Sequence, residues 1–288
     1  MKQLFASLLL AASLSAPVYA QLKLPNAAPA AKITQDFSLS SIEINYTRPS
    51  IHGQRIFGDI VPFGQAWETG EGMVAHIRIG EELDFAGIRV KAGEYALYTI
   101  PNKDKWTVVL NMGTSSWGIN GYAKEDDIAR ITVKPDITPG VYQTFTMNIT
   151  DITYTSCKLE MLWERTRITV PIVARNETKI ATDIDRSIPA SQFPYYKVAT
   201  YYFESNQKSE LARNYVNKAA EADPKAYDVW FLKARIEKKL GNYDEAVMSA
   251  KKSIELAEGN PDEYRYKHEN QKIIDEIYRK SRPKQIDE

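Results

Sequence analysis

The feature that most constrains this chain is a change in the repeat of its apolar positions near Pro194. From about Gln35 to Arg175 apolar residues recur at every second position, and beyond Pro194 they recur on a helical stripe. Ile42, Ile44 and Tyr46 share one side of a strand, as do Trp106, Val108 and Leu110, then Phe145, Met147 and Ile149, then Ile168, Val170 and Ile172. Successive strand side chains point to opposite faces, and aromatic and β-branched residues suit a half-buried pleat. Turn signals separate the runs at Ala92-Gly93, Pro101-Asn102, Asn120-Gly121 and Pro139-Gly140. Many short strands with regular turns and no helix between them predict an antiparallel β-sandwich, jelly-roll-like, of about ten strands.

After Pro194 the spacing predicts five helices, over 195–204, 209–222, 226–240, 243–258 and 262–280, with Pro224, Gly241 and Pro261 at the breaks. The pattern repeats: Ala246 lies 34 residues after Ala212, and Trp230 lies 34 residues after Tyr196. That is the tetratricopeptide period. Gly241-Asn-Tyr-Asp-Glu-Ala246 resembles the tight turn and second-helix start of such a repeat, while Gln207 stands at the glycine position of the first copy. The fold class is therefore α+β multidomain, a sandwich followed by an all-α tetratricopeptide-like domain. The expected division is a signal peptide at 1–20, a mobile N-terminal tether at 21–34, the sandwich at 35–175, a linker at 176–194 and the helical domain at 195–282.

Met1-Lys2, the apolar run Leu4 to Leu14 and Val18-Tyr-Ala20 fit a secretory signal cut between Ala20 and Gln21. The run is shorter than the roughly 20 residues of a spanning helix. Export to the periplasm, or secretion, is the expected location. Lys and Arg balance Asp and Glu at 37 each and are mixed along the chain, against the one-sided basic face of a nucleic-acid binder. Cys157 is the single cysteine, so an intramolecular disulfide is excluded. It alternates with Leu159, Met161 and Trp163 and reads as a buried core thiol.

Set side by side, Asn45-Tyr-Thr-Arg-Pro49, Gly53-Gln-Arg-Ile-Phe-Gly58, Val61-Pro-Phe-Gly64, Trp67, Thr69-Gly70, Ala92-Gly-Glu-Tyr95, Thr99-Ile-Pro101 and Trp106-Thr-Val-Val-Leu-Asn111 resemble the DUF2911 family, secreted bacterial proteins of unknown function. Trp163-Glu-Arg-Thr-Arg-Ile-Thr-Val-Pro171 resembles its closing strands, and a similar helical tail is common among members. The resemblance implies the sandwich and the export route but no activity. One loop departs from it. Where the family commonly has Trp-Arg-Thr-Gly-Ala-Asn-Glu, this chain has Trp67-Glu-Thr-Gly-Glu-Gly-Met73, which alters the charge there.

No catalytic residue, cofactor or metal site is expected. His52, His76 and His268 lack metal-ligand spacing, and no Gly-x-Ser-x-Gly elbow or phosphate loop occurs. His76 alternates with Arg78 and reads as a surface histidine. Asp183 and Asp185 begin like a calcium loop, but the sixth position has no glycine and Pro194 takes the twelfth. The acids Glu68, Glu71, Glu81 and Glu82 read as solvated loop residues, and the sequons at Asn45, Asn148 and Asn176 as chance matches.

Two candidate surfaces remain. Arg48, Arg55, Trp67 and Glu68 would make a binding patch, since guanidinium groups recognise carboxylate or phosphate and an aromatic supplies a flat contact. Equally, the arginines would pin their loop through carbonyls while Trp67 plugs the sandwich end. Tyr196, Trp230 and Tyr243 would line a partner groove, or pack between helices. The leading expectation is a non-enzymatic envelope protein that binds a protein partner through its repeats. The alternatives are a hydrolase or carbohydrate-active protein with its site in the Gly53–Gly70 loops, and a purely structural domain.

Overall fold

The computed structural model of the chain describes residues 24–186, 193–206 and 208–281. The expected signal peptide, its cleavage point at Ala20/Gln21, the stretch 187–192 and Gln207 lie outside the described residues.

Ten strands come first: β1 (Ala30–Phe37), β2 (Ser40–Thr47), β3 (Ala75–Ile79), β4 (Leu83–Phe85), β5 (Ile88–Val90), β6 (Gly93–Ile100), β7 (Trp106–Asn111), β8 (Asp127–Val133), β9 (Asp136–Thr150) and β10 (Ser156–Ala174). They form a six-stranded sheet in the order β1-β2-β3-β6-β7-β8 and a four-stranded sheet in the order β5-β4-β10-β9. All the strand pairs are antiparallel. Register carries the alternation across the large sheet: Ile44 stands opposite Ile77, and Ile77 opposite Tyr95. These inward rows meet Phe145, Met161 and Val170 of the other sheet in one buried cluster. A sandwich is the stable answer for two sheets that each have an apolar face.

β1 begins at Ala30, inside the stretch 21–34 expected to be a tether. All eight of its residues pair with β2, and Ala31 and Ile33 pack partly buried against the core. The Ala/Pro composition hides a strand held by ladder bonds along its length and by buried Phe37 at its end. Register shifts interrupt the β9–β10 ladder around Leu162 to Thr166. At that bulge Glu164 turns its Oε1 to accept the Ile56 N–H at 2.8 Å, tying the loop after β2 to β10.

Six described helices follow: α1 (Glu177–Arg186), α2 (Tyr195–Glu204), α3 (Ser209–Ala222), α4 (Tyr227–Leu240), α5 (Tyr243–Ala257) and α6 (Glu263–Ser281). α1 occupies part of the segment expected to be a linker. Ile184 packs partly buried against the first helical core, giving this short helix an apolar contact. That core gathers Val198, Tyr202, Ala212, Val216 and Leu232. A second gathers Ala234, Ala246, Ala250, Ile273 and Ile277. Ala212 and Ala246, one repeat apart, are both fully buried, and their small side chains let neighbouring helices approach. Gly241 closes α4 in the left-handed conformation, with its N–H on the Glu237 and Lys238 carbonyls. The aromatic rings of Tyr154, in the β9–β10 turn, and Tyr201, on α2, meet edge to face at 6.2 Å. No described helix is long and apolar enough to cross a membrane.

Candidate partner-binding surfaces

The four residues of the expected sandwich patch are not gathered on one surface. Trp67 is buried in the core, stacked on Trp163 with ring centroids 5.5 Å apart, and its Nε1 donates to the Gly70 carbonyl at 2.8 Å. It offers no face to a ligand. Arg48 reaches across to β9, where Nε donates to the Phe145 carbonyl at 3.2 Å and Nη2 to Thr146 Oγ1 at 2.8 Å. Its guanidinium is thereby committed to holding the loop. Glu68 Oε1 accepts the Gly72 N–H at 3.3 Å. Arg55 alone stands exposed, with no hydrogen bond or ion pair among the described residues.

The loop that departs from the family pattern carries a feature the sequence did not disclose. Gly72 has φ +81°, and a Cβ there would lie 2.9 Å from the Trp117 indole. The Gly118 N–H bonds the Gly72 carbonyl at 2.5 Å, so the indole rests against the backbone while remaining 70% exposed. An asparagine at position 72 would strike the ring, whereas glycine leaves room for it.

On the helical side a hollow of about 610 Å³ lies between the C-terminal halves of α4 and α6. Phe203, Phe231 and Ile273 give it an apolar floor. Arg235, Lys238, Lys239, Lys272 and Lys280 stand on its walls against Glu269 and Glu276. Several of these cations are engaged. Arg235 lies 4.7 Å over the Phe203 ring and donates to Glu204 Oε1 at 2.8 Å. Lys238 pairs with Glu276, and that hydrogen bond holds the Glu276 carboxyl below the usual carboxylate range. Lys239 donates to the Phe203 carbonyl at 3.4 Å. Lys272 and Lys280 have no ion pair among the described residues. The helix C-termini gathered here carry partial negative charge, which the lysines complement. The side-chain balance is still positive.

Of the three aromatics expected to share a groove, only Tyr243 lines this hollow. Tyr196 lines a separate one of about 420 Å³ with Phe193, Ala219 and Asp228. Burial, and then the Asp228 charge, push its phenol up to about 12. Trp230 lines neither of these hollows. Its Nε1 donates to the Pro224 carbonyl at 2.9 Å, and the Lys233 ammonium sits 5.2 Å over its ring. The reason is helix direction. α2 and α4 run side by side with Tyr196 near Asp228 at one end and Glu204 against Arg235 at the other. Tyr196 and Trp230 therefore belong to the N-terminal ends, and the basic hollow to the C-terminal ends. Its aromatic members, Phe203 and Phe231, were missed. Phe231 shares a stripe of α4 with Arg235 and Lys239, four and eight positions on, whereas Phe203 comes from α2 and carries no such signal.

The remaining reactive groups are scattered. Burial pushes the Cys157 thiol up to about 12, so it is a core residue and not a nucleophile. His76 is not an ordinary surface histidine. Its side chain is 19% exposed, Nδ1 lies 3.6 Å from Glu94 Oε1, and Nε2 is buried without a hydrogen-bond partner among the described residues. The outer face of the large sheet is itself partly covered, with Ala96, Tyr98 and Val109 fully buried and the Tyr122 ring 4.9 Å from that of Tyr98. Glu94 remains half exposed there. Among the described residues no group of three or more His, Cys, Asp or Glu is placed to hold a metal ion.

Comparison with known families agrees with this division. A family model described as a protein of unknown function, DUF2911, matches residues 28–172, about half of the chain. A tetratricopeptide repeat model matches residues 227–260, the span of α4 and α5. No curated protein matches the chain significantly.

Proposed function

The chain belongs to the DUF2911 family and carries a tetratricopeptide repeat, and from that premise we propose an exported, non-catalytic protein that holds an extended segment of a partner polypeptide. The observation that carries this reading is the hollow between α4 and α6. It is concave, floored by Phe203, Phe231 and Ile273, and edged by Lys272 and Lys280, which have no ion pair among the described residues. Repeat arrays bind extended chains along such surfaces. The apolar floor suits an apolar anchor side chain on the partner, and the rim suits acidic residues beside that anchor. The sandwich serves as the rigid body on which the repeats are carried. The signal pattern at 1–20 supports export, with Gln21 as the first residue of the mature protein.

The test is site-specific photo-crosslinking of the full chain in its native host. A benzoylphenylalanine at Tyr243, which is 39% exposed at the hollow, is expected to give a discrete envelope-protein adduct. The same group at exposed Lys124 on the sandwich is expected to give none. Adding Lys239→Glu and Lys272→Glu should abolish the Tyr243 adduct. Identical adducts from both positions, or adducts indifferent to the charge reversals, would remove the basis for this reading. N-terminal sequencing of exported material should begin at Gln21, and retention of Met1 would refute cleavage.

A further inference from the structure

The large sheet ends on a strand whose outer edge is open. β1 stands first in the six-stranded order, so its side away from β2 carries no neighbouring strand among the described residues. An unpaired edge offers a row of N–H and C=O groups to any second strand, and proteins commonly blunt it by shortness, a bulge or a proline. The other edges have such devices. β5 has three residues, β9 is broken by register shifts against β10, and the β7–β8 ladder shifts between Leu110 and Asn111. β1 has none of them. Its eight residues pair with β2 without a shift, and none of them is proline. Outside that ladder, residues 30–37 make no backbone–backbone hydrogen bond among the described residues.

The side chains of β1 are as unfinished as its backbone. β9, the last strand of the small sheet, lies against β2, where Tyr46 Oη accepts the Met147 N–H at 3.0 Å. β1 therefore stands at the margin of the sandwich. Its inward residues Ala31, Ile33 and Gln35 are only half buried, whereas Ile42 and Ile44 of β2 are fully buried. The outer row, Ala30, Lys32, Thr34 and Asp36, is exposed. Lys32 Nζ lies 2.8 Å from Glu43 Oε2, and Glu43 in turn stands opposite Arg78 on β3. Asp36 has no ion pair among the described residues.

We propose that β1 pairs antiparallel with β1 of a second copy of this chain about a two-fold axis, joining the two large sheets into one. In such an interface the same patch meets itself. An axis perpendicular to the sheet keeps inward rows inward, so only residues of the same row stand opposite each other. Charge then selects the register. With Thr34 opposite Thr34 of the second copy, Lys32 stands opposite Asp36 of the second copy, and the contact occurs twice. Opposite charges and paired threonines both favour this arrangement. Centring on Lys32 or on Asp36 would set like charges face to face, and centring on Ile33 or Gln35 leaves Asp36 without the lysine. Lys32 comes to lie between Glu43 of its own chain and Asp36 of the other, with Arg78 beside Glu43 completing the balance. In the inward row Ile33 meets Gln35 and Ala31 meets Phe37, which supplies the cover that row lacks. A pair of edge strands is a small interface, so the association is weak. It does not depend on the helical hollow.

The experiment is sedimentation velocity on the full chain from Gln21 onward, over a range of concentrations. The unaltered protein is expected to pass from monomer to dimer with a Kd of about 10–100 µM. Lys32→Asp and Asp36→Lys should each weaken self-association about tenfold or more, because like charges then face each other. Mixed in equal amounts, the two variants should associate with one another about tenfold or more tightly than either does with itself, since each aspartate of one faces a lysine of the other. The register is read separately. Thr34→Cys should form disulfide-linked dimers under mild oxidation, whereas Lys32→Cys should not, and buried Cys157 takes no part. Far-ultraviolet dichroism checks that each variant is folded, and the cysteine pair decides the matter if a charge variant is not. The proposal is overturned if the unaltered chain stays monomeric up to about 1 mM. It is equally overturned if the mixture associates no better than its components, or if the two cysteine variants cross-link alike.

Discussion

The sandwich and the helical part fill their interiors by opposite means. In the sandwich the large aromatics are consumed by the core: Trp67, Trp163, Phe145 and Phe57 contact one another at centroid distances of 5.1–6.1 Å. In the helical part the fully buried positions are often small, with Ala199, Ala212, Ala234, Ala246 and Ala250 all at 0% exposure. Larger side chains such as Tyr243 are left half open beside hollows. The difference teaches where binding surfaces form. A core built from wide rings makes a rigid body whose aromatics are unavailable. A stack built on alanine brings helices close and leaves aromatic and basic side chains facing the concave side.

The largest expected effect falls on the aromatic side of this comparison. Trp163→Ala should destabilise the sandwich by about 3–5 kcal/mol. Denaturant unfolding followed by near-ultraviolet dichroism should show the loss, with the helical ellipticity near its original midpoint. A matching loss in the helical signal would break the division into two bodies. Next comes Glu237, 1% exposed on α4, whose carboxylate accepts from Arg213 Nε at 3.0 Å and from Asn242 Nδ2 at 2.7 Å. Glu237→Ala leaves those donors unpaired and should cost the helical part about 1–3 kcal/mol. Thermal melting at 222 nm checks it.

A smaller effect is expected in acid. The Arg175 guanidinium beside Asp84 holds its carboxyl below the usual carboxylate range. Asp84 is buried, and the pair clips β4 to the end of β10. A carboxyl lowered by folding stabilises the fold above its unfolded value of about 4. That contribution is lost as pH falls through the lowered folded value. Asp84→Asn should therefore weaken the sandwich near neutrality, with the gap to the unaltered protein closing in acid. Guanidinium titrations at several pH values measure this, and a gap that widened in acid would contradict the sign. The smallest effect is chemical. Cys157, with its thiol pushed up to about 12, should resist alkylation at pH 8 until the sandwich opens.

Much of this contrast was legible in the sequence. Ile42, Ile44 and Tyr46 alternate because one face of β2 is buried, and the 34-residue step from Ala212 to Ala246 marks two equivalent close-packed sites. What was not legible depends on neighbours distant in sequence. β1 fully buries one large side chain, Phe37 at its end, and is otherwise held by pairing with β2. His76 alternates like a solvent-facing residue, but the outer face of its sheet is partly covered near Tyr98 by Tyr122. Trp67 sits in a polar loop, and its burial follows from Trp163 on a strand nearly a hundred positions away. Tyr196 and Trp230 share the repeat phase with each other but not the end of the stack where the basic hollow forms.

The separateness of the two cores is tested most directly by comparing Cys157 alkylation with helical ellipticity across one denaturant series, in the unaltered protein and in Glu237→Ala. Cys157 reports only on the sandwich, where it is 2% exposed, and it is the sole thiol. The account predicts that Glu237→Ala moves the ellipticity midpoint to lower denaturant and leaves the alkylation midpoint in place. Equal shifts of both midpoints would mean one shared core and would contradict it.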